Sequence, residues 1–410
     1  MCVECRTASR LIVLSAVCWW ERSVRQCGLG DGNEPETHRR MTSGFGKGRI
    51  MAVRVTLKDV AAAAGVSPAT VSLVLNGRPV RISEERRERV LQVAASMHYR
   101  ANQAARSLVT RRSNMVGLVV PDIENMFFSS LFKTLEDVAI RDGYSLIVVN
   151  SDDSREREHA LITGVAARGV DGLFLVPALE SCADGEALRR DVEECPCPVV
   201  FVDRLVDAGY CDGVGVDNEE GGRLAAEALL ASLGMDADGK PISRSARTGE
   251  AGGVRPGRIG CVCVERPDGM ADHRLHGFVE ALERAGVTLD DDCVAMGDYR
   301  YSSGYDAAGR LLDAGVTAVF CANDLMAMGL RKRVEERGLR VPEDVSIVGY
   351  DDILARFGLS NDLTTISQNV DALAAECWAV LKRRFADPHA PLHVSMITPH
   401  LVSRSTVRER

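Results

Sequence analysis

The chain has 410 residues, 46% of them hydrophobic, and a formal charge of −8. That length allows two or three domains, and apolar residues spread over many short runs describe a soluble globular protein rather than one with helical membrane spans, since no run approaches the ~20 residues a span needs. The charge is unevenly placed: residues 51–112 hold eleven Lys and Arg against four Asp and Glu, whereas the chain from 113 onward carries −18. A basic module meeting polyanions, joined to an acidic body, fits that asymmetry.

Residues 1–53 are expected to be a disordered extension or to reflect a start codon assigned too early, with Met41 or Met51 as the real beginning. "RLIVLSAVCWW" resembles the core of a signal peptide, but no small-x-small cleavage site follows it. The thirteen cysteines sit mostly in apolar runs such as "RIGCVCVE" and "AVFCAND". They read as reduced core residues of a cytoplasmic protein. Of Cys2, Cys5, Cys18 and Cys27, only the first two have ligand-like spacing, so neither a metal nor a cofactor is expected.

In "VTLKDVAAAAGVSPATVSLVLNG", residues 55–77, Leu57, Val60, Ala61 and Ala64 recur at helical spacing up to Gly65. Ser67 can cap a second helix with Pro68 in its first turn and Val71, Val74 and Leu75 buried. Two short helices meeting across a tight turn are a helix-turn-helix. A third helix is predicted from Ser83 through "EERRERVLQVAASM", with Val90, Val93, Ala94 and Met97 inward and its arginines outward. These helices define a domain over 54–100. Residues 101–114, including "RANQAARSLVTRR", are too short and too basic to be a stable helix alone, so a linker that folds on DNA is predicted.

From 115 to 410 the pattern alternates between strands and helices. "NMVGLVV", "YSLIVVN", "VDGLFLV", "CPVVFVD", "RIGCVCVE", "AVFCAND" and "VSIVGYD" are short apolar runs separated by helix-length amphipathic segments. Such strands belong to parallel sheets covered on both faces. The fold class is therefore α/β: a three-helix helix-turn-helix domain and a basic linker, then two doubly wound parallel-sheet subdomains with a cleft between them. The subdomains are placed at about 115–213 plus 368–395 and about 214–367 plus 396–410. A Gly-, Ser- and charge-rich stretch at about 235–257 reads as a flexible insertion. Ligands in such sheets bind beyond the carboxyl ends of strands. Those ends are polar here: Asp122 and Asn125, Asn150 and Asp153, Asp203 and Arg204, Asn323 and Asp324, Asp351 and Asp352.

The helix-turn-helix stretch, together with "RISEERRERVLQVAASMHYRANQAARSLVTRRSNMVGLVVPDIENMFF" and the later "VDR", "VDNEEGG", "RLHGF", "CANDLMAMG", "VPEDVSIVGYDD" and "LTTI", closely resembles the LacI/GalR family of bacterial transcription regulators. The resemblance runs from about Val55 to the C-terminus apart from the insertion. It implies that the second helix enters the major groove, with Ser67, Pro68, Ala69, Thr70, Ser72, Leu73 and Asn76 nearest bases or phosphates, and Thr56 and Arg81 as further phosphate contacts. The resemblance also implies a body of periplasmic-binding-protein type and a hinge helix in the basic linker, in which, with Asn102 and Ala105, Leu108 matches the leucine that the family wedges between base steps in the minor groove. For a small effector, Phe128 and Tyr299 match stacking positions and Arg204, Arg274 and Asp351 match polar ones. Asp122, Asn125, Asp153 and Asn323 complete the expected site. An arginine and a carboxylate gripping vicinal hydroxyls over an aromatic ring is chemistry suited to a sugar.

The expected protein is a cytoplasmic homodimer on a near-palindromic double-stranded DNA operator, a repressor of carbohydrate-use genes whose sugar-like effector closes the cleft and changes operator affinity. The rival reading is a sugar-binding receptor of the same cleft fold without DNA regulation, for which residues 55–112 would have no use. Catalysis is not expected: the sequence shows no G-x-S-x-G, no phosphate loop and no His-containing ligand pair at metal spacing.

Overall fold

The computed structural model describes residues 55–100, 112–205, 209–240, 257–264, 273–359 and 361–409. They fall in two compact units divided after Arg100. In the first, α1 (Leu57–Ala64), α2 (Pro68–Leu75) and α3 (Glu84–Ser96) follow one another. Thr56 and Asp59 form a capping box at the start of α1, the Asp59 carboxylate accepting the Thr56 N–H at 2.7 Å. Gly65 ends the helix at φ +68°, a left-handed conformation that costs glycine no Cβ clash. Ser67 then accepts the Thr70 N–H at 3.1 Å, and Pro68 occupies the first turn, where its missing N–H leaves no bond unmade. The α1 and α2 axes differ by 101°, within the helix-turn-helix range. Val60, Ala61, Ala64, Val71, Val74, Val90 and Ala94 form the core, with Leu57, Leu75, Val93 and Met97 packed around it, as the helical spacing predicts.

The second unit holds two sheets. In chain order come β1 (Met115–Val120), α4 (Met126–Arg141), β2 (Ser145–Asn150), α5 (Arg155–Ala166), β3 (Gly172–Leu175), α6 (Leu179–Ala183), α7 (Gly185–Glu194), β4 (Val199–Asp203) and β5 (Asp212–Val216). The chain then crosses to α8 (Asn218–Ser232), β6 (Arg258–Val264), α9 (His273–Arg284), β7 (Val294–Gly297), α10 (Tyr301–Asp313), β8 (Val316–Cys321), α11 (Asp324–Glu336), β9 (Ser346–Asp351) and β10 (Thr364–Ser367). It returns for α12 (Val370–Ala386) and β11 (Val394–Ile397), and crosses once more to β12 (His400–Val402). The first sheet runs β11-β5-β4-β3-β1-β2, all parallel. The second runs β12-β10-β9-β8-β6-β7, parallel except for the β10–β12 pair. The central strands are buried along nearly their whole length because helices cover both faces. In both sheets the order reverses beside the first strand, which opens a crevice at the carboxyl ends.

Two boundaries need correction. The limits drawn at 213 and 395 fall inside β5 and β11, and both strands lie whole in the first sheet. The reason is local: β5 reads DGVGV and β11 reads VSMI with alternating exposure, so neither shows the continuous apolar run of a central strand. The same weakness hid β7, β10 and β12. Of the 235–257 insertion, residues 235–240 make a tight turn in which the Asp236 carboxylate accepts N–H groups of Asp238 and Lys240; residues 241–256 lie outside the described residues. So do Cys2, Cys5, Cys18 and Cys27. Among the described residues no single helix is long and apolar enough to cross a membrane, and all nine cysteines are free thiols, six of them buried.

Candidate functional site

At the start of α2, Ser67, Pro68 and Ala69 are exposed while Val71 and Val74 on the opposite face are buried. The packing that builds the core therefore turns the N-terminal end of this helix outward. Thr70 pairs its hydroxyl with Ser67 Oγ at 2.9 Å, and Asn76 ends the helix by donating to the Ser72 carbonyl at 2.7 Å. Ser72 and Leu73 are half-buried and Arg81 is exposed. Thr56 already donates its hydroxyl to Asp59 at 2.7 Å. The hinge residues Asn102, Ala105 and Leu108 lie outside the described residues.

The crevice between the two sheets is a cavity lined by Asn125, Phe127, Phe128, Asp203, Arg204, Arg274, Tyr299, Asp351 and Gln368. Each lobe supplies an arginine beside an aromatic ring. From the first, the Arg204 guanidinium lies 5.9 Å from the Phe128 ring centre and donates to the Pro177 carbonyl at 3.1 Å and to Asp153. Burial opposes its charge, but the Asp153 carboxylate outweighs that and holds the guanidinium above its ordinary pKa. From the second, Arg274 lies 4.0 Å over Tyr350 and 6.0 Å from Tyr299, and donates to Asn218 Oδ1 at 3.0 Å and to the Ala322 carbonyl at 2.5 Å. Its Nη1 stands 3.9 Å from Asp351 Oδ1. This placement depends on Gly222 of α8 and Gly277 of α9: a Cβ on either would lie about 2 Å from a backbone carbonyl oxygen of the facing helix, so the two helices touch backbone to backbone and bring Asn218 and Arg274 together.

Asp351 is 4% exposed. Burial pushes its carboxyl well above the usual range, Arg274 partly offsets this, and the Asp324 and Asp203 carboxylates add to the rise. Asp203, Tyr299, Asp351 and Asp352 all have positive φ, at +65°, +67°, +109° and +57°. Non-glycine residues held there cost on the order of 1–3 kcal/mol each, and such outliers gather at ligand sites.

Six of the nine expected effector residues thus meet in one cavity: Asn125, Phe128, Arg204, Arg274, Tyr299 and Asp351. Asp122, Asp153 and Asn323 do not line it. Asp122 lies 4.0 Å from Arg300 of the other lobe. Asp153 holds Arg204 and accepts the Leu179 N–H at 3.1 Å. Asn323 caps α11 and donates to the Tyr299 carbonyl at 2.8 Å. They support the wall because a strand-end position alone does not decide whether a short side chain faces the crevice or its own loop. The cavity adds Phe127, Gln368 and Asp203, the last noted in the sequence only as a strand-end residue. Gln368 donates to Asp351 at 2.6 Å while its buried Oε1 accepts no hydrogen bond; it follows β10, a strand too short and polar to flag it.

Comparison with known proteins agrees with this architecture. Residues 56–102 match the model of bacterial regulatory proteins, lacI family, and residues 253–407 match a periplasmic binding protein-like domain. The chain is 30% identical to the HTH-type transcriptional repressor PurR of Vibrio atlanticus, over 86% of this chain and 98% of that one. Among solved structures, the lac repressor dimer bound to operator and the anti-inducer ONPF is 26% identical, covering 86% of this chain and 99% of that one with a TM-score of 0.71. A complex of the transcriptional regulator CelR with cellobiose is 27% identical, covering 86% and 100% with a TM-score of 0.58. The helix-turn-helix, the two-lobed body and similarity over 86% of the chain together show that the chain belongs to the LacI family of bacterial DNA-binding transcriptional regulators.

Proposed function

We propose that this regulator represses carbohydrate-use genes in the cytoplasm as a homodimer, and that a sugar or sugar derivative in the interlobe cavity changes its operator affinity. The observation that carries the reading is the pairing of a guanidinium with an aromatic ring from each lobe, beside the carboxylates Asp203 and Asp351. Carboxylates accept from hydroxyls, guanidinium groups donate to ring and hydroxyl oxygens, and rings cover the apolar face of a pyranose. The CelR–cellobiose complex supports the same chemical class. We assign the direct contacts to Asn125, Phe128, Arg204, Arg274, Tyr299 and Asp351, with Gln368 and Asp203 added. Ser67, Pro68, Ala69, Thr70, Ser72, Leu73, Asn76 and Arg81 are assigned to DNA, and Asn102, Ala105 and Leu108 to its minor groove.

The free space in the cavity is only about 30 Å³, a little more than the ~10–15 Å³ that admits a single water on the same measure. A monosaccharide therefore makes side chains and lobes give way, and the interlobe pairs Arg300–Asp122 and Arg356–Asp371 are the contacts that respond. A ligand that prefers one lobe arrangement shifts the equilibrium by its difference in affinity for the two. The dimer rests on the lac repressor relative, crystallised as a dimer on operator, and on the exposed apolar residues Phe357, Leu359 and Tyr301 of the second lobe.

The test uses the full chain and a duplex that it selects from a random-sequence pool. Monosaccharides and disaccharides are screened for a rise in melting temperature, and each hit is then tested for its effect on duplex affinity. One sugar that does both is expected; a panel in which none changes duplex affinity, while a non-carbohydrate metabolite does, overturns the sugar reading and leaves the regulator intact.

A further inference from the structure

The first lobe has a second cavity, of about 750 Å³, at the end where the chain enters β1; its walls include Arg112, Asp171, Cys195, Cys197 and Arg384. Cys195 ends α7, and Cys197 precedes Pro198 at the entry to β4, so a Cys-Pro-Cys turn joins the two elements. Their sulfurs lie 3.6 Å apart in a thiol–thiol hydrogen bond, and both residues are half-buried. That bond from Cys197 lowers the Cys195 thiol to about 7, whereas burial raises Cys211 to about 12 and Cys293 to about 11. Among the described residues no third metal-ligating atom groups with the pair. Two facing sulfurs without further ligands suit redox chemistry better than a metal.

The turn is tied to the chain that leads from the DNA-reading unit. The Pro198 carbonyl accepts the Leu173 N–H at 2.9 Å. Two residues before Leu173, the Asp171 carboxylate accepts the Ser113 N–H at 2.8 Å, the Ser113 hydroxyl at 3.0 Å and the Asn114 N–H at 2.9 Å. The Cys-Pro-Cys turn and this clasp are thus joined through residues 171–173.

We propose that Cys195 and Cys197 are an oxidative modification site, closed to a disulfide by hydrogen peroxide, and that closure weakens operator binding. The Cys195 thiolate attacks one peroxide oxygen; the O–O bond breaks, the leaving oxygen takes up a proton as water, and a sulfenic acid remains. Cys197 then attacks the Cys195 sulfur, the S–O bond breaks, and a second water leaves with the Cys197 proton. In sum two thiols lose two electrons and two protons, and one peroxide is reduced to two waters. The sulfurs must approach from 3.6 Å to about 2.05 Å, which shortens the turn and loosens the hold of Asp171 on residues 113 and 114. The proposal rests on DNA binding by the family and is independent of the effector being a sugar.

The test treats the full chain with hydrogen peroxide, blocks remaining thiols with N-ethylmaleimide and maps the peptides, while affinity for the selected duplex is measured in the same samples. The Cys195–Cys197 peptide is expected to lose two hydrogens and escape alkylation about tenfold faster than half-buried Cys182 is oxidised, reflecting its thiolate fraction. Duplex affinity should fall about fivefold or more and recover with dithiothreitol. Cys197→Ser should instead accumulate a Cys195 sulfenic acid captured by dimedone. Alkylation of both thiols at the rate of Cys182, or a disulfide formed with affinity unchanged, would overturn the proposal; the wild-type peptide map decides even if a variant fails to fold.

Discussion

Arg274 makes the most demands on its surroundings of any residue in the cleft. It stacks on Tyr350, donates to a backbone carbonyl and to Asn218, and faces Asp351 across 3.9 Å. A lysine keeps the charge but loses the planar fork and the stacking. Arg274→Lys is therefore expected to weaken effector binding by about tenfold or more, measured by calorimetry, while affinity for the selected duplex without effector stays within about threefold. Asp324, buried at the start of α11, sets a pH dependence. Burial raises its carboxyl to about 7, against hydrogen bonds from the Thr365 hydroxyl and the Ile353 N–H that favour the charged form. Between the unfolded value of 3.8 and about 7 the folded chain keeps a proton that the unfolded chain has released. This contribution to stability is fully present below pH 3.8 and is lost as pH rises through about 7. Asparagine can accept from Ile353 and donate to Thr365, so Asp324→Asn should show a flatter dependence of urea midpoint on pH over that window.

At the scale of elements, α2 divides its labour by face. Pro68 and Ala69 at its start are exposed, its first turn contains no acidic residue, and its buried face carries Val71 and Val74. Ala69→Glu adds a negative charge where DNA phosphates would approach and touches none of the core. It should lower duplex affinity by about tenfold or more with a melting temperature close to wild type; an equal fall in melting temperature would show instead that Ala69 belongs to the packing. The helix boundaries here were readable in the sequence because Gly65, Ser67, Pro68 and Ser83 act within their own turn. The strands were readable where they are central. β5, β7, β10, β11 and β12 are three to five residues long, and what makes them strands is the neighbour they pair with.

At the scale of the whole molecule, the exposed apolar surface of the second lobe bears on assembly. Leu359 is 53% exposed and Phe357 45%, beside a groove formed with Tyr301 and Met328. Leu359→Lys places a charge in that surface and should shift sedimentation toward monomer, with weaker duplex binding that higher protein concentration restores. The sequence by itself determined the three-helix head and the alternation of strand and helix, because capping and periodicity are local or repeat at short range; of the cavity residues, strand-end polarity marked Asn125, Arg204 and Asp351, while Phe128, Arg274 and Tyr299 came only from the family resemblance. Only the tertiary structure decided that Asp122, Asp153 and Asn323 support the cleft from outside, that Gln368 reaches in from a crossover, and that Cys195 and Cys197 face each other above the Asp171 clasp. Side-chain direction depends on neighbours far away in the chain, and residues separated by scores of positions become partners only when the sheets are assembled.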